Sequence, residues 1–150
     1  LSKELPSANF SLKKGISQSA YLIEGIVPKT LGKGRRTMAG LFIKVSNQRL
    51  SPWGYSFHRD HQDEILQIKS THGEIFVALI AGSDGIVAFD FQQFKEILDE
   101  DHEEQEWVSV SREPREQYRI KGNDGALSNP LPRNAFPGIL VDYFRQELGL

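Results

Sequence analysis

The residues of this 150-residue chain best suited to chemistry are four histidines, a run of acids beside two of them, and a lysine ending an apolar segment. His58 and His61 stand three apart, Glu64 follows three later, and Asp60 and Asp63 lie between. Imidazole and carboxylate groups are ligands for zinc or manganese, and positions 61 and 64 share a helix face. The metal-ligating set read from the sequence is therefore His61, Glu64 and Asp60. The plainer alternative is that these acids serve the start of a helix, where negative charge is favourable. His72 and His102 have no local partners that suggest a site.

A second constellation is cationic. Lys29, Lys33, Arg35 and Arg36 alternate with Gly32 and Gly34 between two apolar runs. The net charge of −2 conceals a gradient: residues 1–50 hold nine Lys/Arg against two acids, while the remainder is acidic. Counterion release needs only a local positive surface, so the four cations are candidate phosphate contacts, and Trp53 beside Pro52 is a candidate to stack on a base. The implied partner is nucleic acid, with DNA favoured. The alternative is a solvated hairpin tip that is basic without function.

Other chemistries find no support. Cysteine is absent, which removes disulfides, thiolate zinc sites and cysteine nucleophiles together. There is no nucleophile elbow, Walker loop, dinucleotide fingerprint or HExxH motif. Gly82-Ser83-Asp84-Gly85 joins two apolar runs and reads as a turn. No segment approaches the roughly 20 apolar residues of a membrane span and no basic-then-apolar leader opens the chain, so the expectation is one cytoplasmic domain over 1–150 with no membrane partner.

The elements that must position these residues follow from periodicity. Ala20 to Val27 and Ala39 to Val45 predict a long hairpin, and Tyr55 to Phe57 a short third strand. A helix with Asp60 as N-cap carries Ile65, Leu66 and Ile68 inward and stops at Gly73, where a C′ glycine belongs. Glu74 to Ala81 is uninterrupted and suits a central strand covered on both faces. Ile86 to Phe89 is a further strand, and Asp90 caps a short helix. Trp107 to Ser111 and Gln117 to Ile120 predict two strands, Asn123-Asp124-Gly125 a turn, and Gly138 to Leu148 a closing helix. The first 19 residues give no clear element, and Asp99 to Glu106 reads as a solvated acidic stretch. The order is βββ-α-β-β-α-ββ-α, a mixed α/β fold with one central sheet flanked by helices and a C-terminal β-hairpin and helix.

The stretch from Ala39 to Phe89, about a third of the chain, carries a resemblance. A strand ending in Leu41-Phe42-Ile43-Lys44 is followed by a polar turn and a short extended piece. A helix opening with His61-Gln62 then leads to Gly73 and an apolar strand. This run resembles the second half of the restriction-endonuclease-like, or PD-(D/E)XK, nuclease core, and is similar in particular to RecU-type Holliday-junction resolvases. The resemblance implies that Lys44 steadies the attacking water or scissile phosphate and that Gln62 supports the site. It also implies an acid two residues before the lysine to hold magnesium, and that position is Phe42. The preceding motif aspartate has no counterpart, since residues 1–59 contain no Asp, and Glu24 is the only acid nearby.

The expectation is therefore a restriction-endonuclease-like domain that has lost catalysis and acts by binding nucleic acid. Two alternatives stay open. One is a magnesium- or manganese-dependent DNA endonuclease in which Glu24, Asp60 and Glu64 replace the missing acids beside Lys44 and Gln62. The other is a protein-interaction or homodimerisation module.

Overall fold

A computed structural model describes residues 1–15, 17–28, 34–99 and 104–150. In chain order its elements are β1 (Asn9–Lys14), β2 (Ala20–Val27), β3 (Arg35–Ser46), β4 (Trp53–His58), α1 (Arg59–His72), β5 (Ile75–Ala81), β6 (Gly85–Asp90), α2 (Phe91–Ile97), β7 (Gln105–Ser111), β8 (Arg119–Gly122), β9 (Gly125–Ala126) and α3 (Ala135–Leu148). The fold is mixed α/β, as expected, with two sheets rather than one. A five-stranded sheet runs β1-β2-β3-β5-β6, and a four-stranded antiparallel sheet runs β4-β7-β8-β9. Among the described residues only β3 and β5 pair in parallel, with β4 and α1 in the connection between them.

Side-chain alternation explains the layers. On β5, Ile75, Val77, Leu79 and Ala81 point to one face, and Phe76 and Ala78 to the other; all are buried. This is the two-sided burial that the unbroken apolar run predicts. The first face packs against α1, α2 and the inner side of the four-stranded sheet, whose contribution includes Trp53, Tyr55, Phe57, Val108, Val110, Tyr118 and Ile120. The second face packs against α3 through Leu140, Val141, Phe144 and Leu148.

Local signals place several elements. Gly73 ends α1 with φ 89°, a left-handed conformation that favours glycine. Asp90 caps α2 by accepting from the Gln93 N–H, and the Gln93 side chain returns the bond to the Asp90 N–H. Asp60 does not cap α1: the helix begins at Arg59, its N-cap is His58 without a side-chain bond, and Asp60 sits in the first turn. The opening segment contains a strand that its composition hides. β1 is an exposed edge strand whose polar residues are held by backbone pairing with β2. The short third strand is β4, which leaves the first sheet and pairs with β7 instead. No helix among the described residues is long and apolar enough to cross a membrane.

Candidate functional site

Lys44 lies near the end of β3 on the face covered by α1, the face that also carries Gly40 and Phe42. Its ammonium stands 5.4 Å from the centre of the Phe57 ring, and partial burial lowers its pKa. The first turn of α1 brings His61 to the same place. The His61 ring is 5.5 Å from that of Phe42 and 5.3 Å from that of His58. Its Nδ1 is buried without a hydrogen-bond partner. Burial, then the neighbouring Lys44 and His58, lower the His61 pKa, against an opposing pull from Glu64 and Asp60. The imidazole is thus held neutral near pH 7 beside a cation.

Gln62 and Glu64 support this corner from below. Gln62 is fully buried; its Nε2 donates to the Phe57 carbonyl at 3.0 Å, which ties α1 to β4, and its Oε1 has no partner. Glu64 Oε2 accepts from the Ser17 N–H at 3.0 Å, joining α1 to the turn before β2, and its Oε1 is buried without a partner. Both residues therefore act on backbone.

The carboxylates that a magnesium site needs do not converge. Phe42 and Ala20 are directly opposite each other on β3 and β2, and both are fully buried. Glu24 faces Met38, six residues from Lys44 along β3, a separation of about 20 Å. Its carboxylate is instead paired with the Arg36 guanidinium. Asp60 is exposed, and among the described residues no three His, Asp or Glu side chains come together to hold a metal. His61 and Glu64 lie in each other's field, but the set His61, Glu64 and Asp60 is not assembled as a ligand cage. The histidine pair His58 and His61 is brought together, with Lys44 as its third member.

The basic constellation also divides. Lys29 and Lys33 lie outside the described residues. Arg35 and Arg36 are successive residues of one strand and point to opposite faces. Arg36 binds Glu24, while the Arg35 guanidinium lies against Gly149 at the C-terminal end of α3, where a cation is favoured. Trp53 cannot stack on a base. It is 2% exposed, and its indole N–H donates to the Gln48 carbonyl at 2.8 Å.

Sequence reasoning passed over the outer surface of the four-stranded sheet. Trp107 is 46% exposed there, and its neighbours on the same face include Ser56, Ser109, Ser111, Arg119 and Lys121. The signal was available: Val108 and Val110 demand the inside, so Trp107, Ser109 and Ser111 must face out. Beside this surface Arg112 binds Asp84 through two bonds of 2.8 and 2.7 Å, and the Tyr118 hydroxyl donates to the same carboxylate at 2.6 Å. These contacts hold the Asp84 pKa at about 2.

Comparison with family models, curated proteins and solved structures finds no match to this chain.

Proposed function

We propose that the chain is a nucleic-acid-associated domain of restriction-endonuclease-like build that binds without cleaving. The observation that carries this reading is Phe42, apolar and fully buried two residues before Lys44, where a nuclease of this kind would hold a metal-binding acid, with the equally buried Ala20 opposite it. Without carboxylates there, nothing lowers the pKa of an attacking water or bridges it to a phosphate. In support of the resemblance carried by Lys44 and Gln62, β4 and α1 lead from β3 to a parallel β5. What survives beside Lys44 is a partly desolvated ammonium, a neutral His61 and an exposed His58, groups that suit a phosphate oxygen. Fold likeness alone does not assign function, so the reading rests on this chemistry.

The test is a salt titration of binding to duplex, branched and single-stranded DNA, with and without manganese. Binding without cleavage, weakening as salt rises, is expected, and Lys44→Ala reduces the log–log slope by about 0.9 on duplex. Manganese-dependent cleavage that Lys44→Ala abolishes would replace this reading with that of an endonuclease using relocated acids. No binding at low salt would overturn it in favour of a protein partner or a homodimer.

A further inference from the structure

The four-stranded sheet covers the core with one face and leaves the other open. The inner row holds Trp53, Tyr55, Phe57, Glu106, Val108, Val110, Ile120 and Gly122, all buried. The outer row of β7 is Gln105, Trp107, Ser109 and Ser111, a line of about 20 Å. Ser56 lies opposite Trp107, Lys121 opposite Ser109, and Arg119 opposite Ser111. Gly54 has open space where a side chain would stand, so the surface beside Trp107 is flat.

We infer that this outer face binds single-stranded nucleic acid, with Trp107 as the stacking plane and Arg119, Lys121 and Arg49 as phosphate contacts. The inference rests on the proposed function and gives it a ligand class and a surface. Three observations support it.

First, the exposed indole of Trp107 is bordered on this face by small residues, Ser56 opposite it, Ser109 next on its own strand and Gly54 with open space above it. Unstacked bases use such platforms without sequence preference.

Second, the charge is complementary. Arg49, Arg119 and Lys121 make no ion pair among the described residues. A groove of about 580 Å³ lined by Arg49, Ser109, Ser111, Arg112 and Lys121 continues the face beyond Trp107. Its carboxylates are Asp84, held by Arg112, and Glu113. Glu113 and Glu116 also stand beside Arg119, so along this path Arg49, Arg112, Arg119 and Lys121 face Asp84, Glu113 and Glu116, a small excess of cations where the chain from residue 51 onward is acidic overall.

Third, the face is continuous with the Lys44 corner. His58 ends the outer row of β4, and its ring is 5.3 Å from His61. A strand laid over Trp107 and Ser56 reaches His58, the residue that adjoins His61 at the end of β4. A duplex has its bases stacked inside and cannot use the indole, which selects the single strand.

The experiment measures anisotropy of labelled oligothymidylate and of a duplex of equal length, together with tryptophan fluorescence of the 150-residue chain. Trp53 is buried, so quenching on binding reports Trp107. Expected are preference for the single strand, quenching, and a loss of about 5- to 100-fold in affinity for Trp107→Ala, largely restored in Trp107→Phe. Arg119→Ala and Lys121→Ala each lower the salt slope by about 0.7. All three side chains are exposed, so circular dichroism should remain that of the parent. If Lys44→Ala weakens binding while the Trp107, Arg119 and Lys121 variants bind as the parent does, this inference falls and the proposed function stands. If the parent binds no nucleic acid, both fall. Self-association through this face without affinity for oligonucleotide also overturns the inference.

Discussion

Replacing Asp84 with asparagine tests how the two sheets are fastened together. Asp84 sits in the turn between β5 and β6, while Arg112 follows β7 and Tyr118 precedes β8, so their hydrogen bonds cross from one sheet to the other. Lowering the carboxyl pKa from 3.8 to about 2 corresponds to roughly 2.5 kcal/mol if fully realised. Solvent screening of a surface pair reduces that to about 1 kcal/mol. The folded-state pKa is depressed, so this stabilisation is complete above about pH 4 and is lost as pH falls towards 2. Asp84→Asn removes the titrating group. Urea unfolding at pH 7, 5 and 2.5 should show the variant less stable at pH 7, with the gap to the parent narrowing by roughly two-thirds of that 1 kcal/mol at pH 2.5. Tyr118→Phe keeps the ion pair and loses one hydrogen bond. It should cost about 1 kcal/mol and retain most of the parent's acid sensitivity. A gap between parent and Asp84→Asn that stays constant from pH 7 to 2.5 would refute the assignment of this stabilisation to the ionised carboxylate.

Three further outcomes are expected. In an NMR titration His61 should protonate below the ordinary imidazole midpoint of 6.5, and Lys44→Met should raise that midpoint by removing a neighbouring cation. Because its folded-state pKa is depressed, acidification through that range should destabilise the protein by way of His61, and Lys44→Met should lessen the effect. Gly40→Ala should destabilise by about 1–3 kcal/mol in urea unfolding, since a methyl group there runs into Ile68 on α1 and Ile75 on β5. Trp53→Ala should cost about 3–5 kcal/mol in the same assay, whereas Trp107→Ala should change stability by less than about 0.5 kcal/mol.

Strand and helix identities were legible wherever local chemistry decides them. Ala20 to Val27 is apolar and ends before a proline, Gly73 takes the left-handed turn, and the Asp90 to Gln93 spacing writes a capping box. The assignment of strands to sheets was not legible. β4 pairs with β7 some fifty residues away, and a six-residue strand carries nothing that names its partner. Trp53 illustrates the cost. Its type suggested a stacking surface, while its register with Tyr55 and Phe57 places it inside, and alternation outweighs residue type once one face is buried. Glu24 was close to Lys44 in the order of elements but not in space, because antiparallel pairing sends β2 away from the end of β3 where Lys44 lies. Arg35 and Arg36 are divided for a related reason: adjacent residues of a strand cannot share a face. In contrast, Lys44 and His61 are 17 positions apart and do meet, because the connection from β3 through β4 turns α1 back over the sheet.

The pairing of β4 with β7 also sets a timetable for the chain. During synthesis from the N-terminus, β1 through β6 and the helices α1 and α2 can emerge and associate while β4 has no strand beside it. Trp53, Tyr55 and Phe57 then have neither backbone partners nor the valines of β7 alongside them until about fifty more residues have been added. Such a distant closure is slow to form and leaves an apolar strand edge open in the meantime. A chain shortened to residues 1–99 would keep that edge permanently, and its natural fate is to pair with another copy of itself. The second sheet thus serves as a latch on the first, and the nascent protein is at its most adhesive just before the latch closes.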